Sequence, residues 1–180
     1  MKKWMNGAVS GALAVLLFSG TGVMASEDEG DYGAAAVSEG ETYTLEEMLL
    51  YAIEDEYMAE ASYIAIMDAY GTVKPFTSIA KAEGTHISLL LPLFETYGFE
   101  VPENEAADRI ELPASLAESF EAGVEGEIKN IAIYGQFLEA EDLPDDVRSV
   151  FERLMAASEN HLAAFERGVA GNPDGAGRKK

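Results

Sequence analysis

T-L-E-E-M-L-L-Y-A-I-E-D-E-Y-M-A-E-A-S-Y-I-A-I-M-D-A-Y (residues 44–70), G-T-V-K (71–74) and P-F-T-S-I-A-K-A-E-G-T-H-I-S-L-L-L-P-L-F-E-T-Y (75–97) together decide the fold. In the first segment Leu45, Leu49, Ala52, Glu56, Ala59, Tyr63, Ile66 and Tyr70 recur at steps of four and three. That spacing traces one face of an α-helix. Phe76, Ile79, Glu83, His86, Leu90 and Leu93 do the same in the second segment. Each apolar stripe thus carries polar residues in its middle. A carboxylate in such a place must find a partner or lose its charge.

Working outward, Thr44 with Glu47 three residues on is a capping box that opens the first helix. Gly71, read as a left-handed C′ residue, closes it. The second helix begins near Pro75 and ends before Gly98, and Pro92 inside it is expected to kink it beyond His86. The acidic, non-periodic link from Gly98 to Pro113 can extend roughly 50 Å at ~3.3 Å per residue. A 26-residue helix is about 39 Å long. The link can therefore run the length of a bundle, so helices two and three need not be antiparallel.

A third helix is expected over about Ala114 to Ala140, with the stripe Leu116, Phe120, Val124, Glu127, Ile131, Tyr134, Leu138. Gly123 and Gly126 weaken it by about 1 kcal/mol each relative to Ala, or else permit close helix approach. The fourth helix opens at Pro144 with Asp145 and Asp146 in its first turn, carries Val147, Phe151, Leu154, Ser158, His161 and Phe165, and ends at Gly171. Residues 172–180 read as a frayed tail.

The first 25 residues read as a secretory signal peptide. Lys2 and Lys3 precede an apolar run, and Val23-Met24-Ala25 offers a small-residue cleavage site. The product is expected to be secreted or held in the periplasm or cell envelope, without membrane attachment. Residues 26–43 are acidic, Gly/Ala-rich and aperiodic, which predicts a disordered linker before the bundle of residues 44–171. All 33 acidic residues lie after residue 25, against ten of the 12 basic ones, so the processed chain carries −23. Such a charge repels nucleic acid and anionic membranes and attracts cations. With no cysteine, disulfides, thiolate sites and iron–sulfur clusters are excluded. Any metal must be held by carboxylates and the two histidines, His86 and His161.

The two halves echo each other. Glu56 has Tyr63 seven residues on, and Glu127 has Tyr134 seven on; Glu83-x-x-His86 has Ser158-x-x-His161 as its counterpart. One Glu-x-x-His is a weak signal, but four matched helices are a strong one. A Glu from each of two helices, with Glu-x-x-His from the other two, is the ligand set for two carboxylate-bridged metal ions in a four-helix bundle. The alternative is a metal-free ion network, which needs cations beside Glu56, Glu83 and Glu127. Lys81 and Lys129 lie about 160° away round their helices, and Arg148, Arg153 and Arg167 fall off the helix-four stripe. Of Glu54-Asp55-Glu56, only Glu56 faces the core on this reading, the rest being solvated surface. Tyr63 and Tyr134 read as core aromatics within hydrogen-bonding reach of the carboxylates.

These motifs resemble the ferritin-like superfamily of rubrerythrins, ferritins and bacterioferritins. Within it the chain is more similar to the proteins grouped as domain-of-unknown-function family 2202. The residues that carry the likeness are E-D-E-Y-M-A-E-A-S-Y (54–63), I-A-K-A-E-G-T-H (79–86) and S-E-N-H-L-A-A-F (158–165). The resemblance implies an all-α, left-handed four-helix bundle with a long crossover between helices two and three. It implies metal ligands at Glu56, Glu83, His86, Glu127 and His161, one or two ions of iron or manganese, and dioxygen or peroxide as reactant. In that scheme Glu56 and His86 hold one ion, Glu127 and His161 the other, and Glu83 bridges; Tyr63, Tyr134 and Ser158 stand behind the ligands. The catalytic residues are left unknown. Ser158 departs from the pattern, standing where a second bridging carboxylate belongs, and Glu159 points ~100° away. No cysteine module exists to feed electrons as in a full rubrerythrin. A non-enzymatic metal-sequestering protein, or a bundle that kept the fold and lost the site, are the other readings, and self-association into a homo-oligomer stays open.

Overall fold

Thr44 starts the first helix as its sequence predicts. Its Oγ1 accepts from the Glu47 N–H at 3.3 Å while Glu47 Oε2 accepts from the Thr44 N–H at 2.8 Å. The computed structural model describes residues 32–171, and within them four long helices form with no strand: α1 (Leu45–Tyr70), α2 (Phe76–Tyr97), α3 (Leu116–Leu138) and α4 (Asp145–Gly171). The signal-peptide segment, residues 26–31 and the tail 172–180 lie outside the described residues. None of the described helices is long and apolar enough to cross a membrane. Gly71 does leave α1 with positive φ (93°), but its ψ of 161° is extended; the left-handed stop is Gly98, at φ 73° and ψ 27°. Ser115 caps α3 by accepting from the Glu118 N–H at 3.2 Å.

Contacts fix the topology. Against α1, Glu56 meets His86 of α2 and Tyr134 of α3, while Tyr63, one helical stretch later, meets Phe76 and Glu127. Numbers rise on α1 as they fall on both neighbours, so α1 is antiparallel to α2 and to α3, and α2 runs parallel to α3. The crossover must then return the chain from one end of the bundle to the other. It leaves near Tyr97, whose hydroxyl donates to Asp146 at the start of α4. A short 3-10 turn (Ala106–Asp108) packs on α1, and Pro113 O accepts from the Tyr70 hydroxyl at the far end.

The aromatic core falls into two layers. Tyr63, Phe76, Phe120 and Phe165 contact one another at centroid distances of 5.1–5.9 Å. Tyr134, Phe137 and Phe151 form the other layer with Leu49, Leu90 and Leu154. Each fully buried Phe or Leu contributes about 1.5–3 kcal/mol. Gly123 permits the first layer: a Cβ there would lie 2.8 Å from the Phe165 ring. This is the close approach that the glycines of helix three allowed for.

Two further features depart from what the sequence predicts. The stripe on α3 is rotated: Phe120, Gly123, Glu127, Asn130, Tyr134 and Phe137 are buried, whereas Val124 and Ile131 are only half-buried. Small and polar residues hold the inner line because another helix and a hydrogen-bonded network press against them. Residues 32–43 are also not a disordered linker. Gly33–Ala36 forms a 3-10 turn docked on α1, with Tyr32 and Gly33 buried. Gly33 N–H donates to Glu54 Oε2 and Ala34 N–H to Asp55 Oδ1, both at 3.0 Å. Gly33 sits at φ 58°, and a Cβ there would come within 2.9 Å of the Asp55 backbone nitrogen. Arg109 of the crossover stacks over Tyr32 at 4.7 Å. The acidic character of the segment, which favours solvent, is overridden by these contacts.

Candidate metal centre

Between the aromatic layers the four helices each contribute polar side chains to one buried volume. Glu56 is 0% exposed, Glu83 2%, Glu127 3%, His86 5% and His161 9%. His86 Nδ1 lies 2.7 Å from Glu83 Oε2 and 3.0 Å from Glu56 Oε2. His161 Nδ1 lies 3.2 Å from Glu83 Oε1 and 3.6 Å from Glu127 Oε1. The two imidazoles stack at 5.6 Å with 21° between planes. Glu56, Glu83 and His86 form one group whose donor atoms lie within 4.8 Å of one another, and Glu83, Glu127 and His161 form a second. Glu83 belongs to both. The five side chains singled out in the sequence therefore meet, and these groups could hold metal.

The tyrosines cross between halves. Tyr63 of α1 donates to Glu127 Oε1 of α3 at 2.8 Å, and Tyr134 of α3 donates to Glu56 Oε1 of α1 at 2.7 Å. Each bond fixes a carboxylate rotamer and aligns it with its neighbours. Burial, and next the opposing carboxylates, push both phenols well above their usual value, so they remain donors.

Ser158 breaks the symmetry. Its hydroxyl, 2% exposed, donates to Asn130 Oδ1 at 3.0 Å, and Asn130 Nδ2 donates to Asp55 Oδ2 at 2.6 Å. Glu54 and Asp55 are thus not solvated surface. Glu54 is buried, and Asp55, though half-buried as a residue, has a desolvated carboxylate that burial pushes up to about 6 against its two hydrogen bonds. Asp55 and Asn130 were hidden in the sequence. Their only signal is that positions 55 and 130 adjoin the inner lines of α1 and α3.

The charges organise themselves without lysine or arginine. Burial disfavours charge on His86, but its bonds to Glu56 and Glu83 outweigh that and raise it to about 10. His161 rises to about 9 in the same way through Glu127 and Glu83. Burial pushes Glu56 up to about 8 and Glu127 in the same direction. It opposes ionisation of Glu83 as well, yet the two imidazoles win and hold that carboxyl at about 2. Without metal, then, the cations of the network are the histidines themselves.

The pH dependence of the metal-free fold follows. Below about 6.5 both histidines are protonated in the folded and unfolded chain alike, and their ion pairs contribute fully. That contribution is lost as pH rises through about 9 and 10. Glu56 keeps its proton in the fold up to about 8 while the unfolded chain releases it near 4.5, so stability falls across that window too. Glu83 acts oppositely: its share is present above 4.5 and lost as pH falls through about 2. Urea denaturation in chelator should show stability declining from pH 5 to pH 10, with Glu56→Gln flattening the lower part. A stability that rises over this range would contradict these ionisation states.

The atoms suit a metal on their own terms. His161 Nδ1 is buried, faces two carboxylates and makes no aligned hydrogen bond. A metal ion in place of its proton, between it and Glu83 and Glu127, would give that nitrogen the directed bond it lacks. Carboxylate and imidazole donors are the set that iron, manganese and zinc accept.

The family model of an uncharacterized protein domain, DUF2202, matches residues 46–176. The crystal structure of hypothetical protein MJ0754 from Methanococcus jannaschii DSM 2661 is similar with a TM-score of 0.65 at 21% identity, covering 76% of this chain and 86% of that one. This likeness is one of fold. No curated protein matches the chain.

Proposed function

Since the chain belongs to the DUF2202 family, an uncharacterized protein domain, we propose that it is an exported, ferritin-like protein whose bundle binds two divalent ions, iron or manganese, and turns them over with dioxygen or peroxide. The observation that carries this reading is the pair of buried Glu/His groups sharing Glu83, in one of which the His161 nitrogen faces two carboxylates without an aligned hydrogen bond. Glu56 and His86 would hold one ion, Glu127 and His161 the other, with Glu83 between them. The chemistry such a pair supplies when bound is one-electron exchange with oxygen species.

The protein's own part is positional. Tyr134 occupies Glu56 Oε1, which leaves Oε2 directed at His86. Tyr63 restrains Glu127 in the same manner. The aromatic layers on either side exclude bulk water, so charges placed between them interact strongly. Metal must displace the protons carried by His86, His161 and Glu56, so affinity should rise with pH. Export is supported by Lys2, Lys3 and the apolar run that follows them.

One preparation tests the whole proposal. Protein isolated from its native cells without chelator should have an intact mass beginning at or near Ser26. It should carry one to two equivalents of iron or manganese by elemental analysis. Ferrous iron added to it in air should be oxidised faster than in buffer alone. Tight binding without turnover would instead make it a metal-sequestering protein, and a chain that takes up no metal would end the proposal.

A further inference from the structure

Ions must reach a centre that is closed along the bundle axis. On one side lie the rings of Tyr63, Phe76, Phe120 and Phe165; on the other lie those of Tyr134, Phe137 and Phe151. The lateral seam between α1 and α2 is crossed by a side chain. Glu60 lies across Gly84 so closely that a Cβ there would be 2.7 Å from its Oε1. The seam between α1 and α3 is different. A cavity of about 170 Å³ opens there beneath the crossover, with Ile110, Glu111 and Pro113 at its roof. Its walls include Ser62 of α1 and Gly126 of α3, and Asp55, Tyr63, Glu127 and Asn130 line it too.

The geometry points to this cavity as the access route for divalent cations, resting on the metal-centre reading above. Three properties carry it. The cavity is lined by Glu127, a member of the second Glu/His group, and so reaches the edge of the proposed centre. Its lining holds three carboxylates, Asp55, Glu111 and Glu127, against the single ammonium of Lys129, which selects cations over anions. Asp55 belongs to neither metal-holding group, yet it lines the cavity. Two hydrogen bonds, from Ala34 and Asn130, fix it there at the junction of three segments of chain. A carboxylate held on the wall gives an arriving ion an intermediate partner as it sheds water. The Glu127–His161 half is then the first to fill and the first to empty.

Gly126 makes the route testable. A Cβ there would meet nothing nearer than the Tyr63 hydroxyl at 3.9 Å, so a longer side chain projects into free space rather than into the core. Gly126→Leu and, from the opposite wall, Ser62→Leu narrow the passage without removing a ligand. Gly135→Leu is the control, because a Cβ at that position has no neighbour within 4 Å. Co²⁺ is the probe, its visible absorption reporting binding in stopped flow and its release being driven by excess chelator. Both narrowing variants should bind and release Co²⁺ about tenfold more slowly, with stoichiometry and Kd within twofold of wild type, since a passage alters both directions equally. Rates equal to wild type and to the control would overturn the route while leaving the centre standing. A loss of affinity without slower association would overturn it too. If wild-type protein binds no Co²⁺ at all, the metal-centre reading fails and the route with it.

Discussion

In Glu83→Ala the melting temperature should no longer respond to added ferrous iron or manganese, whereas the wild type should gain about 10 °C. The gain follows from linkage: a ligand at 100 times its Kd stabilises the native state by ~2.7 kcal/mol. In a domain of this size each kcal/mol moves the transition by about 3–4 °C. Glu83 is the residue to remove because it alone is shared by the two Glu/His groups, with Oε2 2.7 Å from His86 and Oε1 3.2 Å from His161. Its loss would take a donor from both proposed ions at once. The metal-free variant will itself be weaker, since omitting one partner of a buried ion pair costs about 3–5 kcal/mol. The quantity to compare is therefore the shift on adding metal, measured by calorimetry, not the absolute midpoint. An equal shift in the two proteins would remove Glu83 from the centre. No shift in wild type would remove the centre.

The positions that meet in the core were readable because each violates its surroundings. Glu56, Glu83, His86, Glu127 and His161 interrupt apolar stripes at helical spacing, and nothing but burial follows from that. The i, i+3 step of Glu83 and His86 even announces their 2.7 Å contact. Tyr63 and Tyr134 were readable through the repeated seven-residue step, although the sequence could not show that each reaches the other half's glutamate. What stayed hidden obeys the surface pattern and is buried all the same. Asp55 sits in an acidic triplet, Asn130 beside a lysine, and the partner of both Glu54 and Asp55 is the backbone of residues 33 and 34, about twenty positions upstream. Amide donors leave no trace in side-chain composition. The counter-cations are neither lysine nor arginine but the two histidines, whose spacing in the sequence marks them as ligands.

Ser158→Glu should weaken the metal-free protein and strengthen its hold on metal. In the first half of the chain Glu83 precedes His86 by three residues and lies 2.7 Å from it. Ser158 precedes His161 by the same step, so a carboxylate there would lie beside His161 as Glu83 lies beside His86. Two divalent ions bring +4, and Glu56, Glu83 and Glu127 offer −3, so the native set leaves a buried +1 that a fourth carboxylate cancels. Without metal the same change is unfavourable on two counts. Ser158 is 2% exposed and its hydroxyl is engaged with Asn130, whose amide nitrogen already serves Asp55. The added atoms overpack the α3–α4 contact by about 1–3 kcal/mol, and a poorly paired buried charge adds about 3–5 kcal/mol. The metal-free midpoint should therefore fall by more than 10 °C. Saturating manganese should restore most of that loss, and the Kd of the ion proposed at Glu127 and His161 should drop by at least tenfold. Ser158→Ala separates the two effects, since it removes only the bond to Asn130 and leaves that buried amide oxygen without its donor, at a cost of about 1–3 kcal/mol, and should bind metal as wild type does. Calorimetric titration of the three proteins reads both quantities. Should the glutamate variant be destabilised and bind no tighter, position 158 belongs to the Asn130–Asp55 network alone and is not the place of a missing bridge.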